Sequence, residues 1–284
     1  MRTIRSVPEL REHLAGVDGT VGLVPTMGAF HAGHESLIEA ARRNSDHVVV
    51  SLFVNPAQFN DPRDLEAYPR DEARDAEIAE RLGADILFAP APDEVYPAGF
   101  ATSVRVEGLS DVFEGSSRGP GHFAGVCTVV AKLFNMVRPD VAYFGQKDAQ
   151  QVAVLRRMVT DLDFPLTLDV RPTIREPDGL ALSSRNVRLS PGERAKAVGL
   201  SLALRAAADG GLSAGRAVLA EYSIEPEYFA MVDPDTFEEP GRLAVIAATV
   251  GGTRLIDNVL IERAATPDRR GADPKGAVRV LPTP

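Results

Sequence analysis

Cysteine is almost missing from this chain: Cys127 stands alone in 284 residues, so no internal disulfide can form. A reducing compartment, the cytoplasm by default, is therefore expected. Basic excess is missing too. Against 31 Lys and Arg stand 40 Asp and Glu, and the formal charge of −9 disfavours a broad surface for nucleic acid. Any polyanion bound here must meet local cations. No uninterrupted apolar run approaches the roughly 20 residues that span a bilayer, and the opening MRTIRSVPELREHL carries no apolar export core. Neither a membrane partner nor an export signal is expected. His and Cys are too sparse for a zinc cluster, and the one close histidine pair has i, i+3 spacing rather than the i, i+4 spacing of metalloproteases. No protein metal ligand is assigned, and no internal repeat is visible.

What is present is alternation. Short apolar runs at 21–24, 48–54, 86–89 and 141–144 are interleaved with helix-like segments at 35–43, 72–82 and 150–162. This order predicts an α/β fold with a mainly parallel, Rossmann-like sheet, whose ligands gather at the carboxyl ends of strands. After Pro172 the pattern changes to a turn-rich loop, REPDGLALSSRN, and then to a helix with Ser190 as N-cap, Pro191 in its first turn and Gly210 near its end. A second short helix at 214–222 and strand-like stretches at 227–233 and 242–261 follow. We expect residues 1–174 to form one domain and 175–284 a smaller α+β lid, with a poorly ordered tail at 264–284.

The stretch VPTMGAFHAGH, Val24 to His34, carries the most chemistry. A strand breaks on Pro25 and Gly28, and a helix opening there sets His31 and His34 one turn apart on one face, beside unpaired backbone N–H groups. Such a site suits phosphate, because helix N-termini attract anions and imidazoles donate to phosphate oxygens. Attack on a nucleoside triphosphate is the chemistry suggested. H-x-G-H is short, however, and two histidines near a turn are as readily surface residues. Two further strand ends supply polar residues: Asn55, Pro56 and Gln58 in SLFVNPAQF, and Lys147 and Asp148 in VAYFGQKD.

Taken together, VPTMGAFHAGH, SLFVNPAQFN with AYPRD, GHFAGVCTVVAKLFNMVRPDVAYFGQKDAQQ and GLALSSRN resemble, in order, the motifs of the pantothenate synthetase (pantoate-beta-alanine ligase) family, of the wider HxGH nucleotidylyltransferase superfamily. The resemblance implies a homodimeric enzyme in which pantoate attacks the α-phosphate of ATP to give pantoyl adenylate and pyrophosphate, and beta-alanine then displaces AMP to give pantothenate. It implies Mg²⁺ held mainly by the ATP phosphates.

Carried over position by position, the resemblance puts Met27, Gly28, Ala29, Phe30, His31, Ala32, Gly33 and His34 at ATP. It adds Gly145, Gln146, Lys147, Asp148, Ile174, Leu182, Ser183, Ser184 and Arg185. Catalytic roles fall to His34 as proton donor or charge stabiliser, His31 beside it, Lys147 on the developing phosphate charge and Arg185 on phosphate oxygens. Gln58 and Gln151 would bind pantoate, and Gln58 also beta-alanine; neutral amides hold a carboxylate without quenching its nucleophilicity. Asn55, Tyr68, Arg118, His122 and Asn186 are implied as loop contacts. Leu182 stands where the family commonly has Met and Phe30 where Leu is frequent, both apolar exchanges. Two other readings stay open: a nucleotidylyltransferase that stops at the adenylated product, and a noncatalytic nucleotide-binding protein of the same fold.

Overall fold

The computed structural model describes residues 1–261 apart from 61 and 120, so the tail expected at 264–284 lies outside the described residues. In chain order the first part runs β1 (Arg2–Ile4), α1 (Val7–Leu14), β2 (Val21–Thr26), α2 (Ala32–Asn44), β3 (His47–Leu52), α3 (Pro62–Glu66) and α4 (Glu72–Arg81). It continues through β4 (Ile86–Phe88), α5 (Pro92–Val95), α6 (Glu114–Arg118), α7 (Gly121–Val137), β5 (Val141–Gly145), α8 (Ala149–Asp161) and β6 (Thr167–Arg171). The six strands form one sheet in the order β1-β4-β3-β2-β5-β6, every neighbouring pair parallel.

Side-chain alternation explains the layers. Val49 joins Leu23, Ile86 and Phe88 on the face packed against α1, α7 and α8, while Val48 and Val50 join Val24, Leu87 and Tyr143 under α2 and α4. Both faces are covered, which is why the strands read as unbroken apolar runs. Beyond the short helices α1, α3, α5 and α6, three elements escaped the periodic reading for plain reasons. Helix α7 is apolar nearly all round, with Val126, Cys127, Val129, Val130, Leu133 and Phe134 buried, so it shows no amphipathic stripe. Strand β1 has only one buried residue, and β6, TLDVR, has none.

The second part comprises α9 (Pro191–Glu221), β7 (Pro226–Val232), β8 (Leu243–Val250) and β9 (Thr253–Leu260), the strands forming an antiparallel sheet in the order β7-β8-β9. Ser190 caps α9 in a capping box: its backbone N–H donates to Glu193 Oε2 at 2.8 Å, and the Glu193 N–H donates to Ser190 Oγ at 3.4 Å. Gly211, at φ 77 and ψ 178, breaks the helical path, so α9 is two helices joined at that residue, as the sequence leads one to expect. Strand β8 turns Ala244, Ile246 and Ala248 toward α9 and Leu243 and Val245 toward Ala149 and Ala153 of α8. The small sheet is thereby packed onto the first part. Among the described residues no helix is long and apolar enough to cross a membrane.

Leaving β2, the chain builds outward through β3 and β4, then returns to lay β5 and β6 on the opposite side. Strand order reverses between β2 and β5, and the loops leaving their carboxyl ends diverge to open a crevice. One carries His31 to the start of α2, whose first turn holds His34; the other carries Lys147.

Candidate active site

A cleft of about 900 Å³ opens at that reversal. Met27 and His31 line it from the loop after β2, Gly33 and His34 from the first turn of α2, and Gln58 from the turn after β3. Gly145, Lys147, Asp148 and Gln151 line it from beyond β5, and Ile174, Leu182, Ser183, Ser184 and Arg185 from the loop joining the two parts. Tyr68, Arg118, His122 and Asn55 are also at its wall. Residues more than 150 positions apart in the chain are thus gathered around one space.

Six expected contacts do not line the cleft: Gly28, Ala29, Phe30, Ala32, Gln146 and Asn186. The reasons are local. Asp75 of α4, only 1% exposed, accepts the N–H groups of Ala29 and Phe30 at 2.8 Å each, and the Gly28 N–H donates to Thr26 Oγ1 at 3.3 Å. Those amides are occupied. Gly28 has φ 84, and a Cβ there would fall 2.7 Å from Leu52 Cδ1 and 2.9 Å from Asp75 Oδ2. The ring of Phe30 is buried in the core, tilted beneath His34 at 5.5 Å between centroids. Gln146 donates to Asn258 Oδ1 at 3.3 Å, and buried Asn186 donates to the Ala181 carbonyl at 3.1 Å, bracing the loop from within.

His31 is the N-cap of α2, and the Gly33 N–H donates to its Nδ1 at 3.1 Å. A ring nitrogen that accepts carries no proton, so neutral His31 holds its hydrogen on Nε2. The unpaired amides expected at this helix start are reduced by one. His34 lies 4.2 Å from His31, centroid to centroid. Burial, reinforced by His31, depresses the pKa of His34 to about 3, and burial with the nearby Lys147 lowers that of His31. Both rings are neutral near pH 7. His34 Nδ1 is buried without a partner, and the tautomer protonated on Nε2 leaves only a lone pair unmet there.

Gln58 is oriented by its neighbours. Asn55, itself buried, donates through Nδ2 to Gln58 Oε1 at 3.0 Å and to the Gly125 carbonyl at 3.1 Å, while Tyr96 OH donates to Asn55 Oδ1 at 2.8 Å. His122 Nδ1 lies 3.0 Å from the Gln58 carbonyl. The Gln58 Nε2 group rests on Met27 Sδ at 3.1 Å, a weak acceptor that a carboxylate would readily replace.

Positive charge is concentrated here in a protein of net negative charge. Lys147 Nζ lies 3.7 Å from Asp148 Oδ1, and its side chain is only 18% exposed. Arg185 is drawn into a cationic neighbourhood, its pKa lowered first by burial and then by Arg118. Two of the acids on the wall are already matched. Glu114 accepts from Arg118 Nε at 2.9 Å, from Arg254 Nη1 and Nη2 at 2.9 and 2.6 Å, and from Tyr228 OH at 2.9 Å. Burial alone would raise the Glu114 pKa, but Arg254 and Arg118 hold it down at about 2. Asp257 forms a bidentate pair with Arg175, at 2.6 and 2.9 Å. Asp75, Glu114, Arg254 and Asn258 were not legible as site residues, since each acts through a partner distant in sequence. The Gly/Ser-rich stretch around Arg118 forms helix α6, and Arg118 is tied to Glu114.

Comparison with known proteins follows the same line. Residues 2–260 match the family model described as Pantoate-beta-alanine ligase. The chain is 48% identical over 282 residues to a pantothenate synthetase of Moorella thermoacetica, covering 92% of this chain and 99% of that one. It is 50% identical over 283 residues to one of Rhizorhabdus wittichii, covering 93% and 100%. Among solved structures, pantothenate synthetase from Thermus thermophilus superposes with a TM-score of 0.87 at 46% identity, covering 93% of this chain and 100% of that one. A Francisella tularensis pantoate-beta-alanine ligase, complexed with beta-gamma ATP and beta-alanine, gives 0.81 at 34% identity, covering 93% and 99%.

Proposed function

The chain belongs to the pantoate-beta-alanine ligase family, and from that premise we propose how its cleft divides the work of joining pantoate to beta-alanine. The overall reaction is ATP-dependent formation of pantothenate. In our reading the pantoate carboxylate attacks the α-phosphorus of ATP, pyrophosphate leaves, and the beta-alanine amine then attacks the acyl carbon of pantoyl adenylate and expels AMP. A free carboxylate is a poor acylating group; bonding its oxygen to phosphorus makes AMP the leaving group.

The observation that carries this assignment is the convergence of neutral His31 and His34, Lys147 and Gln58 on one cleft. His31 and His34 present Nε2–H donors to phosphate oxygens without adding charge, and Lys147 neutralises charge that builds on the phosphorus oxygens in the transition state. Arg185, Ser183 and Ser184 hold the outer phosphates. Gln58 and Gln151 hold pantoate, and Gln58 afterwards meets beta-alanine. Among the described residues no group of three or more His, Cys, Asp and Glu is placed to hold a metal. Mg²⁺ would be held mainly by the ATP phosphates and water, with Asp148 as the cleft carboxylate that could accept from its waters, and it would supply charge neutralisation.

Pantoate-dependent exchange of labelled pyrophosphate into ATP, followed by AMP and pantothenate release on adding beta-alanine, tests both halves. Exchange that ignores pantoate would overturn the assignment. We further assign the enzyme to the cytoplasm as a homodimer that binds neither nucleic acid nor membrane, supported by its single cysteine, its net negative charge and its family resemblance. Light scattering of the purified protein checks the dimer.

A further inference from the structure

Lys147 sits on a single 3-10 turn, Gln146–Asp148, that no side chain of its own segment caps. Asn258, in the last described strand, reaches across from the small sheet to hold it. The Nδ2 group donates to the Gln146 and Lys147 carbonyls, both at 2.9 Å, and Oδ1 accepts from Gln146 Nε2 at 3.3 Å. Only 4% of Asn258 is exposed, and its own backbone is fixed on both sides. Its N–H donates to Asp257 Oδ1 at 2.8 Å, while its carbonyl accepts from Arg175 Nη2 at 3.3 Å, beside the Arg175–Asp257 pair.

We infer that Asn258 is a positioning residue for adenylation, fixing the backbone from which Lys147 reaches the reacting phosphate. A lysine on a flexible stem delivers its charge accurately only when its Cα is held, and a displacement near 1 Å costs on the order of 100-fold in rate. Asn258 itself touches no reacting atom. The inference rests on the catalytic role proposed for Lys147.

The test is a double-mutant cycle under single-turnover conditions, where slow adenylation stays readable. Asn258→Ala is expected to slow adenylation ~10- to 100-fold with ATP and pantoate affinities within about 3-fold of the parent. In a Lys147→Ala background the same substitution should cost less than about 2-fold, because the group it positions is gone. If Asn258→Ala fails to fold, Asn258→Ser, which keeps one donor but is too short to reach both carbonyls, takes its place. Equal losses in both backgrounds, or full activity of the Asn258 variant, overturn the inference. Undiminished adenylation by Lys147→Ala alone would instead overturn the role given to Lys147.

Discussion

Asn55 Nδ2 donates to Gln58 Oε1 at 3.0 Å, so the pantoate-binding amide proposed here has its acceptor end tied and its donor end left on a thioether. Asn55→Ala should release Gln58 and strand the Gly125 carbonyl and Tyr96 hydroxyl. We expect the KM for pantoate to rise ~10-fold, with stability falling about 1–3 kcal/mol from the unmet buried groups. Pantoate titrations in the exchange assay and urea unfolding check the two effects separately.

Acid should weaken the fold through its histidines. His34 has an ordinary value of 6.5 when unfolded and about 3 when folded, so the unfolded chain takes the proton first as pH falls. The stability is complete above 6.5 and is lost as pH drops toward 3. Between pH 8 and 4.5 this amounts to a loss on the order of 3 kcal/mol. His31 and His122, also lowered by burial, add to it, and Glu114 extends the decline from 4.5 toward 2. Urea midpoints measured across this range should fall, and less so for His34→Gln. An equal decline in that variant would refute the assignment.

How much of this was legible beforehand depended on the range over which residues act. Strands β2 to β5 and helices α2, α4 and α8 were visible because burial writes a local period into the sequence. The two helices on either side of Gly211 were visible for the same reason. Helix α7 was hidden because burial on all sides erases the stripe, and β6 because its polar residues interrupt the run. At the site, the motif residues stand in short contiguous words. Asp75 and Asn258 belong to no such word; they act on loops 45 and 111 positions away, a relation fixed only by the fold.

Asp75 should be intolerant of amide replacement. Its two oxygens each accept one N–H, from Ala29 and from Phe30, whereas Asn offers one acceptor and one competing donor. Asp75→Asn is expected to cost about 2 kcal/mol of stability and to slow adenylation as the loop before His31 loosens. Hydrogen exchange at the Phe30 amide should accelerate; unchanged protection would argue against this anchoring.

The ion cluster at Glu114 should matter more to integrity than to chemistry. Glu114→Ala leaves Arg254 half-compensated by Glu227 alone, and the loss is expected at about 3 kcal/mol. Calorimetric unfolding measures it.

Direct truncation of the reacting machinery should behave differently. Lys147→Ala or His34→Ala should slow pyrophosphate exchange by orders of magnitude, a few kcal/mol of transition-state stabilisation, with Lys147→Ala melting close to the parent temperature. Normal exchange in both would contradict the roles proposed.

The strap from Asn258 to the Lys147 turn also orders events in time. During synthesis, the ribosome releases the histidine loop, the glutamines and the lysine turn well before β9 emerges. A nascent chain can therefore display most of the cleft while its lysine turn still waits for the strand that steadies it. If Lys147 acts as proposed, competence to spend ATP waits for a residue that emerges 111 positions after it.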